Sequence, residues 1–390
     1  MSLNYHKLGD ILTIERGGSP RPIQKYLTDD IDGLNWIKIS DATASDKYIY
    51  ETKQKISKDG LYKTRFVNEG DFILSNSMSF GKPYIMKTTG CIHDGWLVLR
   101  DIEKANLEKD FLYYILCSPN IFEQFNSLAS GSTVRNLNIR LVSSVKIPIP
   151  PIEEQKQIVA ILDKAFEAID KAKVNLEKNI HNSKELFQSR LNEIFSQQGE
   201  DWEEKTLGEI GKVSMCKRIL KKQTNSENGI PFYKIGTFGK EANAFISEEI
   251  YNEFKKKYSF PKKGDILLSA SGTIGRRVIY DGKPAYFQDS NIVWIDNNEE
   301  LILNEFLYEF YGFCQWNPSR GATISRLYND DLRRIKINFP IKESQKSIVE
   351  GINKLKEQTK QLEKQYKQKL KNLEELKKSI LQKAFSGELV

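Results

Sequence analysis

Few side chains in this sequence have the types and spacing that catalysis requires. Histidine occurs only at His6, His93 and His181, and the four cysteines are scattered without C-x-x-C spacing. Cys91, His93 and Asp94 lie close together in "CIHDGWLVL", but the apolar residues that follow favour the start of a strand over a nucleophile–base pair. The sequence therefore offers few residues for histidine- or cysteine-based catalysis. Neither a disulfide framework nor a zinc site is expected.

Two further stretches match enzyme motifs only in part. "SGTIGRR" at 271–277 lacks the lysine and the following helix pattern of a phosphate-binding loop. "NPSR" at 317–320 begins like the Asn-Pro-Pro-aromatic motif of amino-methyltransferases, but it lacks the second proline and the aromatic residue. We interpret both as loops. An enzyme with a site hidden from these patterns is the alternative, which methylation by the isolated chain would support.

Basic residues, by contrast, recur in loops at matching positions of the two halves of the chain. Lys82 follows Gly81 in one half, and Arg276 and Arg277 follow Gly275 in the other. Arginine can bind guanine edges with two hydrogen bonds, lysine and arginine neutralise phosphates, and asparagine can bind adenine. The predicted DNA-contacting residues are Arg16, Arg21, Asn76, Lys82, Arg135, Asn136, Arg140, Lys217, Arg218, Lys221, Arg276, Arg277, Arg320 and Arg326, with Ser77, Asn138 and Lys222 beside them. A solvated surface is the alternative for any single residue.

The composition agrees with a polyanionic partner without deciding for one. The 390 residues carry 59 Lys and Arg against 52 Asp and Glu, a net charge of +7, with a pI near 8.9 and a mean hydropathy of −0.51. This predicts a soluble globular protein of two or three domains with a mild basic bias. No transmembrane run and no signal-peptide pattern is visible, and the four scattered cysteines fit the expected cytoplasmic location.

An internal repeat determines how these loops must be organised. "IPIPPIEEQKQIVAIL" at 147–162 returns as "INFPIKESQKSIVEGI" at 337–352, and "NEGDFILSNSMSFGKPYIM" at 68–86 returns as "KKGDILLSASGTIGRRVIY" at 262–280. "KLGDI" at 7–11 likewise answers "TLGEI" at 206–210. A repeat with a period near 190 residues predicts two copies of one structural unit.

Each repeat reads as a globular half followed by a long polar helix. Short β-rich runs, among them "NWIKIS", "DFILSNS" and "WLVLRD" in the first half and "PFYKIG", "DILLSAS" and "NIVWID" in the second, are separated by polar turns. A short helix is predicted in each half, at 108–118 and 303–314. The long helices show apolar steps of three and four residues, the coiled-coil period, and each ends at a Phe-Ser pair. The predicted packing residues are Ile158, Leu162, Ile169, Leu176, Ile352, Leu355, Leu362, Leu373 and Ile380.

The predicted fold class is therefore α+β, with two similar mixed domains separated by two long helices that form an antiparallel coiled coil with pseudo-two-fold symmetry. We expect globular domains at 1–150 and 198–340, and helices at 151–197 and 341–390. Because neither narrow apolar stripe can be buried alone, the two helices are expected to pack against each other.

In this order and number, the motifs resemble the specificity subunits of type I restriction-modification systems. The resemblance covers the whole chain and rests on the proline-to-helix stretch, its echo, the "GD-I/F-L-S" strands and the C-terminal "LQKAFSGEL". It implies two target recognition domains, each reading one half of a bipartite asymmetric double-stranded DNA site. It also implies a chain without catalysis or cofactor of its own.

The partners implied by the resemblance are two methyltransferase subunits docked on the helices, together with motor-nuclease subunits. S-adenosylmethionine, ATP and magnesium would be bound by those partners and not by this chain. The alternative from another class is a structural coiled-coil scaffold whose globular ends bind proteins. DNA binding that weakens steeply with salt would distinguish the two.

Overall fold

The computed structural model describes residues 4–42, 46–76, 80–102, 106–129, 136–196, 199, 201–316, 319–320 and 325–388. The chain forms two compact units, one comprising residues 1–177 and 367–390 and the other residues 178–366. Each unit contains one globular half and segments of both long helices. Each is described below by itself.

Short strands and short helices build the first unit. Its strands are β1 (Tyr5–Lys7), β2 (Thr13–Arg16), β3 (Leu27–Thr28), β4 (Leu34–Ile37), β5 (Tyr48–Ile49), β6 (Lys55–Ile56), β7 (Arg65–Val67), β8 (Phe72–Ser75), β9 (Pro83–Met86), β10 (Gly90–Ile92), β11 (Trp96–Arg100) and β12 (Lys146–Pro148). Its helices are α1 (Leu8–Ile11), α2 (Ile39–Ala42), α3 (Lys109–Leu116), α4 (Pro119–Ala129), α5 (Ile139–Ser144) and the first part of α6 (Ile152–Ser196).

Two five-stranded sheets dominate this unit, in the orders β3-β6-β4-β10-β7 and β2-β11-β8-β9-β5, and β1 pairs with β12. Strands β8 and β11 are buried on both faces, with Phe72, Leu74, Leu97 and Leu99 in one apolar cluster. A second cluster lies on the opposite face around Trp96. Because both faces are covered, these strands read as continuous apolar runs in the sequence.

The second unit repeats part of this plan. Its strands are β13 (Glu203–Thr206), β14 (Gly211–Ser214), β15 (Ile230–Tyr233), β16 (Phe245–Ile246), β17 (Ile266–Ser269), β18 (Arg277–Ile279), β19 (Tyr286–Phe287), β20 (Ile292–Asn297), β21 (Ser319–Arg320), β22 (Ser325–Arg326) and β23 (Lys336–Phe339). Its helices are α7 (Leu207–Ile210), α8 (Glu248–Lys257), α9 (Asn304–Phe313), α10 (Asn329–Arg333) and part of α11 (Lys342–Ser386).

The sheets of the two units correspond strand by strand at their centres. The order β14-β20-β17-β18 matches β2-β11-β8-β9, and the pair β13-β23 matches β1-β12. All six strand predictions and both short-helix predictions are confirmed. The short helices α4 and α8 were not predicted, and both have one buried face among largely polar residues.

The repeated Gly-Asp sequence is explained by one turn that both units use. Gly70 and Gly264 have φ of +86° and +96°, a conformation that glycine adopts without a steric penalty. The carboxylates of Asp71 and Asp265 accept the backbone N–H three residues earlier, at 2.8 and 2.7 Å. This turn leads directly into β8 and β17.

The long helices pack antiparallel within each unit. In the first unit the Lys377 ammonium of α11 lies 3.8 Å from the Asp170 carboxylate of α6, and Lys173 of α6 forms an ion pair with Glu374 of α11. Residue numbers therefore rise along α6 in the direction in which they fall along α11. In the second unit the Lys184 ammonium lies 4.0 Å from the Glu363 carboxylate, in the same antiparallel sense. The predicted antiparallel helix packing is confirmed within each unit.

Most of the predicted packing residues are buried or half-buried. Ile158, Leu162, Ile169, Ile352, Leu373 and Ile380 belong to the apolar clusters or pack against them, and Leu176 and Leu355 are half-buried. The prediction for Leu362 is wrong, because its side chain is 40% exposed. Glu363, one position later, is half-buried instead. Leu376 is exposed for the same reason, since the contact face passes through Leu373 and Lys377.

A buried glutamine fixes the start of each long helix, and it explains why the proline-to-helix stretch occurs twice. Gln155 is fully buried; its Nε2 donates to the carbonyls of Pro150 and Asn106 at 2.9 and 3.1 Å, and its Oε1 accepts the Glu108 N–H at 2.9 Å. One side chain therefore ties three segments together: the end of β12, the start of α3 and the first turn of α6.

Gln345 makes the same three contacts in the second unit. Its Nε2 donates to the carbonyls of Pro340 and Leu301 at 2.8 and 2.9 Å, and its Oε1 accepts the Leu303 N–H at 2.8 Å.

Among the helices of the described residues, none is long and apolar enough to cross a membrane.

Candidate nucleic-acid interface

The turn between β10 and β11 is the point at which several predicted contact residues of the first unit meet. Asp94 Oδ1 accepts the Ser19 hydroxyl at 2.6 Å, and its carbonyl accepts Arg16 Nε at 3.1 Å and Asn76 Nδ2 at 2.7 Å. The Arg21 guanidinium lies 3.8 Å from the same carboxylate and is 82% exposed. Asp94 thus orients two arginines at one surface.

The charges at this turn follow from its surroundings. The Ser19 hydroxyl, assisted by His93 and Arg21, lowers the pKa of Asp94 below its usual range, so the carboxylate stays ionised. Burial lowers the pKa of His93, and Lys38 adds to this while Asp94 and Asp41 oppose it. His93 is therefore neutral near pH 7 and, because its Nδ1 accepts the Gly95 N–H at 2.8 Å, it carries its proton on Nε2.

The second unit has the corresponding turn between β19 and β20. Strand β10 runs parallel to β4 with Ile92 opposite Ile37, and β19 runs parallel to β15 with Phe287 opposite Tyr233. This register makes Asp289 the counterpart of Asp94. Its carboxylate lies 2.9 Å from Nε of Arg218, whose side chain is 68% exposed. Both units therefore present an arginine held by an aspartate.

A second repeated feature is the loop that follows the central strand. In the second unit Ser269 receives the Arg276 N–H on its hydroxyl at 2.9 Å, and in the first unit Ser75 receives the Lys82 N–H at 3.0 Å. The glycine before each cation has a positive φ, +72° at Gly81 and +79° at Gly275. The two loops thus place their cations in the same way.

The cations on these loops are half-buried and partly engaged. Lys82 Nζ lies 5.0 Å from the centre of the Tyr84 ring, and Arg276 Nη1 donates to the Phe238 carbonyl at 2.8 Å. Arg326 donates to the Ser290 carbonyl at 3.1 Å, next to the Asp289 turn. These contacts orient the side chains while leaving part of each accessible.

Two predicted contact residues point elsewhere. Asn76 is 1% exposed and bonded to Asp94, so it supports the turn and does not face a ligand. Arg277 stacks on the Tyr308 ring at 4.4 Å and lies 3.9 Å from the buried Glu309 carboxylate. The predictions for Asn76 and Arg277 are therefore wrong, because the sequence does not show which side chains at the end or start of a strand turn inward.

The remaining predicted residues fall into three groups. Arg140, Lys217 and Lys221 are exposed, like Arg16, and Asn136 is half-buried. Arg135 and Ser77 lie outside the described residues, as does the side chain of Arg320. Asp94 and Asp289 were not predicted as organising residues. The available signal was the His-Asp and Gln-Asp pairs at 93–94 and 288–289, each ahead of an apolar strand.

The described side chains offer no metal site, since no group of three potential metal ligands occurs among them. The geometry instead provides, in each unit, exposed cations held by a carboxylate near a glycine loop. Such a surface suits phosphates and base edges.

The family model "Type I restriction modification DNA specificity domain" matches the chain twice, at residues 3–182 and 199–372. The chain belongs to this family. It is similar to a putative type I restriction enzyme specificity subunit, S.HindORF215P of Haemophilus influenzae, with 42% identity over 75% of this chain and 77% of that protein. It is also 24% identical to the type I restriction enzyme EcoBI specificity subunit of Escherichia coli, over 92% of this chain and 80% of that one.

Solved structures of this specificity-subunit family share the fold. A chain from a study of complex assembly and conformational transition of the type I R-M system covers all of this chain and is itself fully covered, with a TM-score of 0.75 and 20% identity. The HsdS subunit from Thermoanaerobacter tengcongensis gives a TM-score of 0.64 at 20% identity over 99% of this chain and 97% of its own. The two family matches coincide with the two repeats described above.

Proposed function

We propose that this chain is the DNA sequence-specificity subunit of a type I restriction-modification complex, and that each globular half reads one half of a bipartite, asymmetric double-stranded target. The observation that carries the proposal is the repeated arginine–aspartate turn, Arg21 with Asp94 and Arg218 with Asp289, in two copies of one specificity domain. Two similar but non-identical readers in one chain suit a target whose halves differ, as a symmetric dimer suits a palindrome.

The chain's own role in this proposal is binding and positioning. The exposed cations neutralise phosphates and hold the chain in register, while partly accessible Arg276 and Arg326 contact base edges. The long helices connect the two readers and dock two methyltransferase subunits, and motor-nuclease subunits join that core. Methyl transfer and cleavage, with S-adenosylmethionine, ATP and magnesium, belong to those partners.

The first test is affinity purification of the tagged full chain from its native cell, with the mass of the intact complex. Two methyltransferase copies per chain are expected, and sequencing of methylated sites should give a split motif. Recovery of the chain without a methyltransferase, and without DNA binding that weakens with salt, would refute the proposal.

Single substitutions then assign the readers. Arg326→Ala should change preference only in the half-site read by the second unit, because Arg326 is anchored beside the Asp289 turn. Arg334→Ala, on an exposed residue outside the turn, is the matched control and should leave preference unchanged. An unchanged preference for Arg326→Ala would remove that residue from the contact set.

A protein-binding scaffold is not favoured as an alternative. It accounts for the helices, but it gives no reason for a specificity-domain match over both globular halves.

A further inference from the structure

The first unit contains a large open cavity beside the Asp94 turn. Its volume is about 1330 Å³, and its polar lining includes Arg21, Gln24, Lys38, Gln54 and His93, beside apolar residues such as Trp36. Usual small-molecule pockets measure roughly 300–1,000 Å³ and enclose their ligand. A larger, open cavity fits a segment of a macromolecule better than a small metabolite.

The lining is assembled from separate elements. Trp36 lies in β4, and its backbone N–H donates to the Gln54 carbonyl at 2.9 Å. Gln24 lies in the 3-10 turn Ile23–Lys25, and His93 lies in the turn after β10. Four stretches of the chain therefore converge on one space, and Arg21, whose guanidinium lies 3.8 Å from the Asp94 carboxylate, is part of its lining.

The chemistry of the lining resembles that of base recognition more than that of a phosphate site. A phosphate site needs cations or backbone N–H groups, and this cavity has cations at Arg21 and Lys38. It adds two neutral amides, Gln24 and Gln54, which can pair with adenine through two hydrogen bonds. The neutral His93 ring offers an Nε2 donor to purine acceptors.

Comparison with the second unit separates framework from lining. The strand register that aligns Asp94 with Asp289 also aligns His93 with Gln288. The aspartate and its arginine are retained, but Gln288 uses its Oε1 to accept the Ile235 N–H at 2.9 Å inside its own domain. The same register aligns Lys38 with Lys234, so the two units share this cation and differ at His93 against Gln288. A shared framework with a difference in the lining is the arrangement that two readers of different half-sites require.

We propose that this cavity reads a base of the first half-site, with Arg21 on the adjoining phosphate and Lys38, Gln24, Gln54 and His93 as specificity-determining residues. The inference rests on the proposed function and extends it to named residues of the first unit. The ligand is a nucleobase edge with its neighbouring phosphate, either stacked in the duplex or extrahelical.

The test uses the full chain assembled with its native methyltransferase subunits and a library of randomised sites, read by sequencing of methylated products. Lys38→Met and Gln24→Leu should each relax one base position of one half-site by roughly 5- to 150-fold, the range of a lost base contact. The other half-site should be unaffected. Lys25→Met, which removes the same charge one residue after Gln24 but outside the lining, should leave preference unchanged.

The outcomes separate the two proposals. If the unsubstituted complex methylates no split motif, the proposed function fails first. If it does, and both Lys38→Met and Gln24→Leu retain its preference at every position, the cavity is not a reader. Gln24 is exposed, so loss of folding is not expected to mask its result. A 2-aminopurine in the first half-site distinguishes the two ligand states: strong fluorescence marks an extrahelical base, and quenched fluorescence marks a stacked one.

Discussion

Replacing Gln155 by leucine should weaken the first unit at the start of its long helix. The substitution keeps the side-chain size similar but removes three hydrogen bonds: two donated to Pro150 and Asn106 and one accepted from Glu108. Gln155 is fully buried, so water cannot replace these partners at no cost.

The magnitude follows from the groups left behind. A buried N–H without a partner costs about 1–3 kcal/mol, and each lost carbonyl bond costs roughly 0.5–1.5 kcal/mol. Leucine recovers part of this through apolar burial. We expect a net loss of about 3 kcal/mol of unfolding free energy in the first unit, which corresponds to roughly a hundredfold change in the local opening equilibrium.

Amide hydrogen exchange of the full chain measures this directly. Protection of the Glu108 amide should fall by about two orders of magnitude in Gln155→Leu. Gln345→Leu should do the same to the Leu303 amide and leave Glu108 unchanged, because each glutamine bonds only within its own unit. Gln157→Leu is the matched control, since Gln157 lies two residues later in the same helix and is exposed.

Equal protection of Glu108 in Gln155→Leu and Gln157→Leu would refute the reasoning. It would mean that the three hydrogen bonds of Gln155 contribute no stability, and that another role explains why a glutamine occurs at the start of both long helices.

Three further outcomes are expected. Burial lowers the pKa of His93 below the unfolded value near 6.5, so the unfolded chain binds a proton more readily than the folded chain. The free energy of unfolding of the first unit should therefore be highest above about pH 6.5. Below that pH it should fall by at most about 1.4 kcal/mol for each pH unit. His93→Gln should flatten this dependence in urea unfolding between about pH 5 and 7.5, and an unchanged slope would contradict the assignment. Glu309→Gln should lower the free energy of unfolding, measured in urea, by about 2 kcal/mol, because the buried Glu309 carboxylate accepts a hydrogen bond from the Lys356 ammonium at 2.9 Å. Stability equal to that of the unsubstituted chain would show that this ion pair does not stabilise the fold. Gly275→Ala should cost about 1–3 kcal/mol, since its φ is +79° and its new Cβ would lie 2.1 Å from Trp316 Nε1, whereas Gly236→Ala, with open space around it, should be near neutral in the same measurement.

Periodicity in the sequence was sufficient to predict the fold, but it did not show which way individual side chains point. Repeated stretches and apolar runs predicted both globular halves, the central strands and the antiparallel helix packing. They misplaced Leu362, because the apolar pattern does not show which residues of the helix face the partner helix. In the helix pair Glu363 occupies the contact face, with Lys184 4.0 Å from its carboxylate.

The candidate site was harder to predict for a related reason. Basic residues beside glycine loops were found by charge alone, and charge does not distinguish a cation facing solvent from one that binds a buried acid. Arg277 and Arg276 are neighbours in sequence, yet Arg277 packs against Tyr308 and the buried Glu309 while Arg276 donates to the Phe238 carbonyl. The strand pairing separates them: Arg277 begins β18 opposite Leu268 of β17, whereas Arg276 lies in the loop before that strand.

The two units together indicate how one chain can hold two different readers on one framework. The contacts that repeat are those that fix geometry: Gln155 and Gln345 at the helix starts, and Asp94 and Asp289 at the turns. At the position that differs, His93 lines the neighbouring cavity, whereas Gln288 accepts the Ile235 N–H within its own unit. A change of lining therefore need not disturb the turn that holds the arginine, because the aspartate is anchored independently of its neighbour. Recognition in one unit can change without loss of the fold in either.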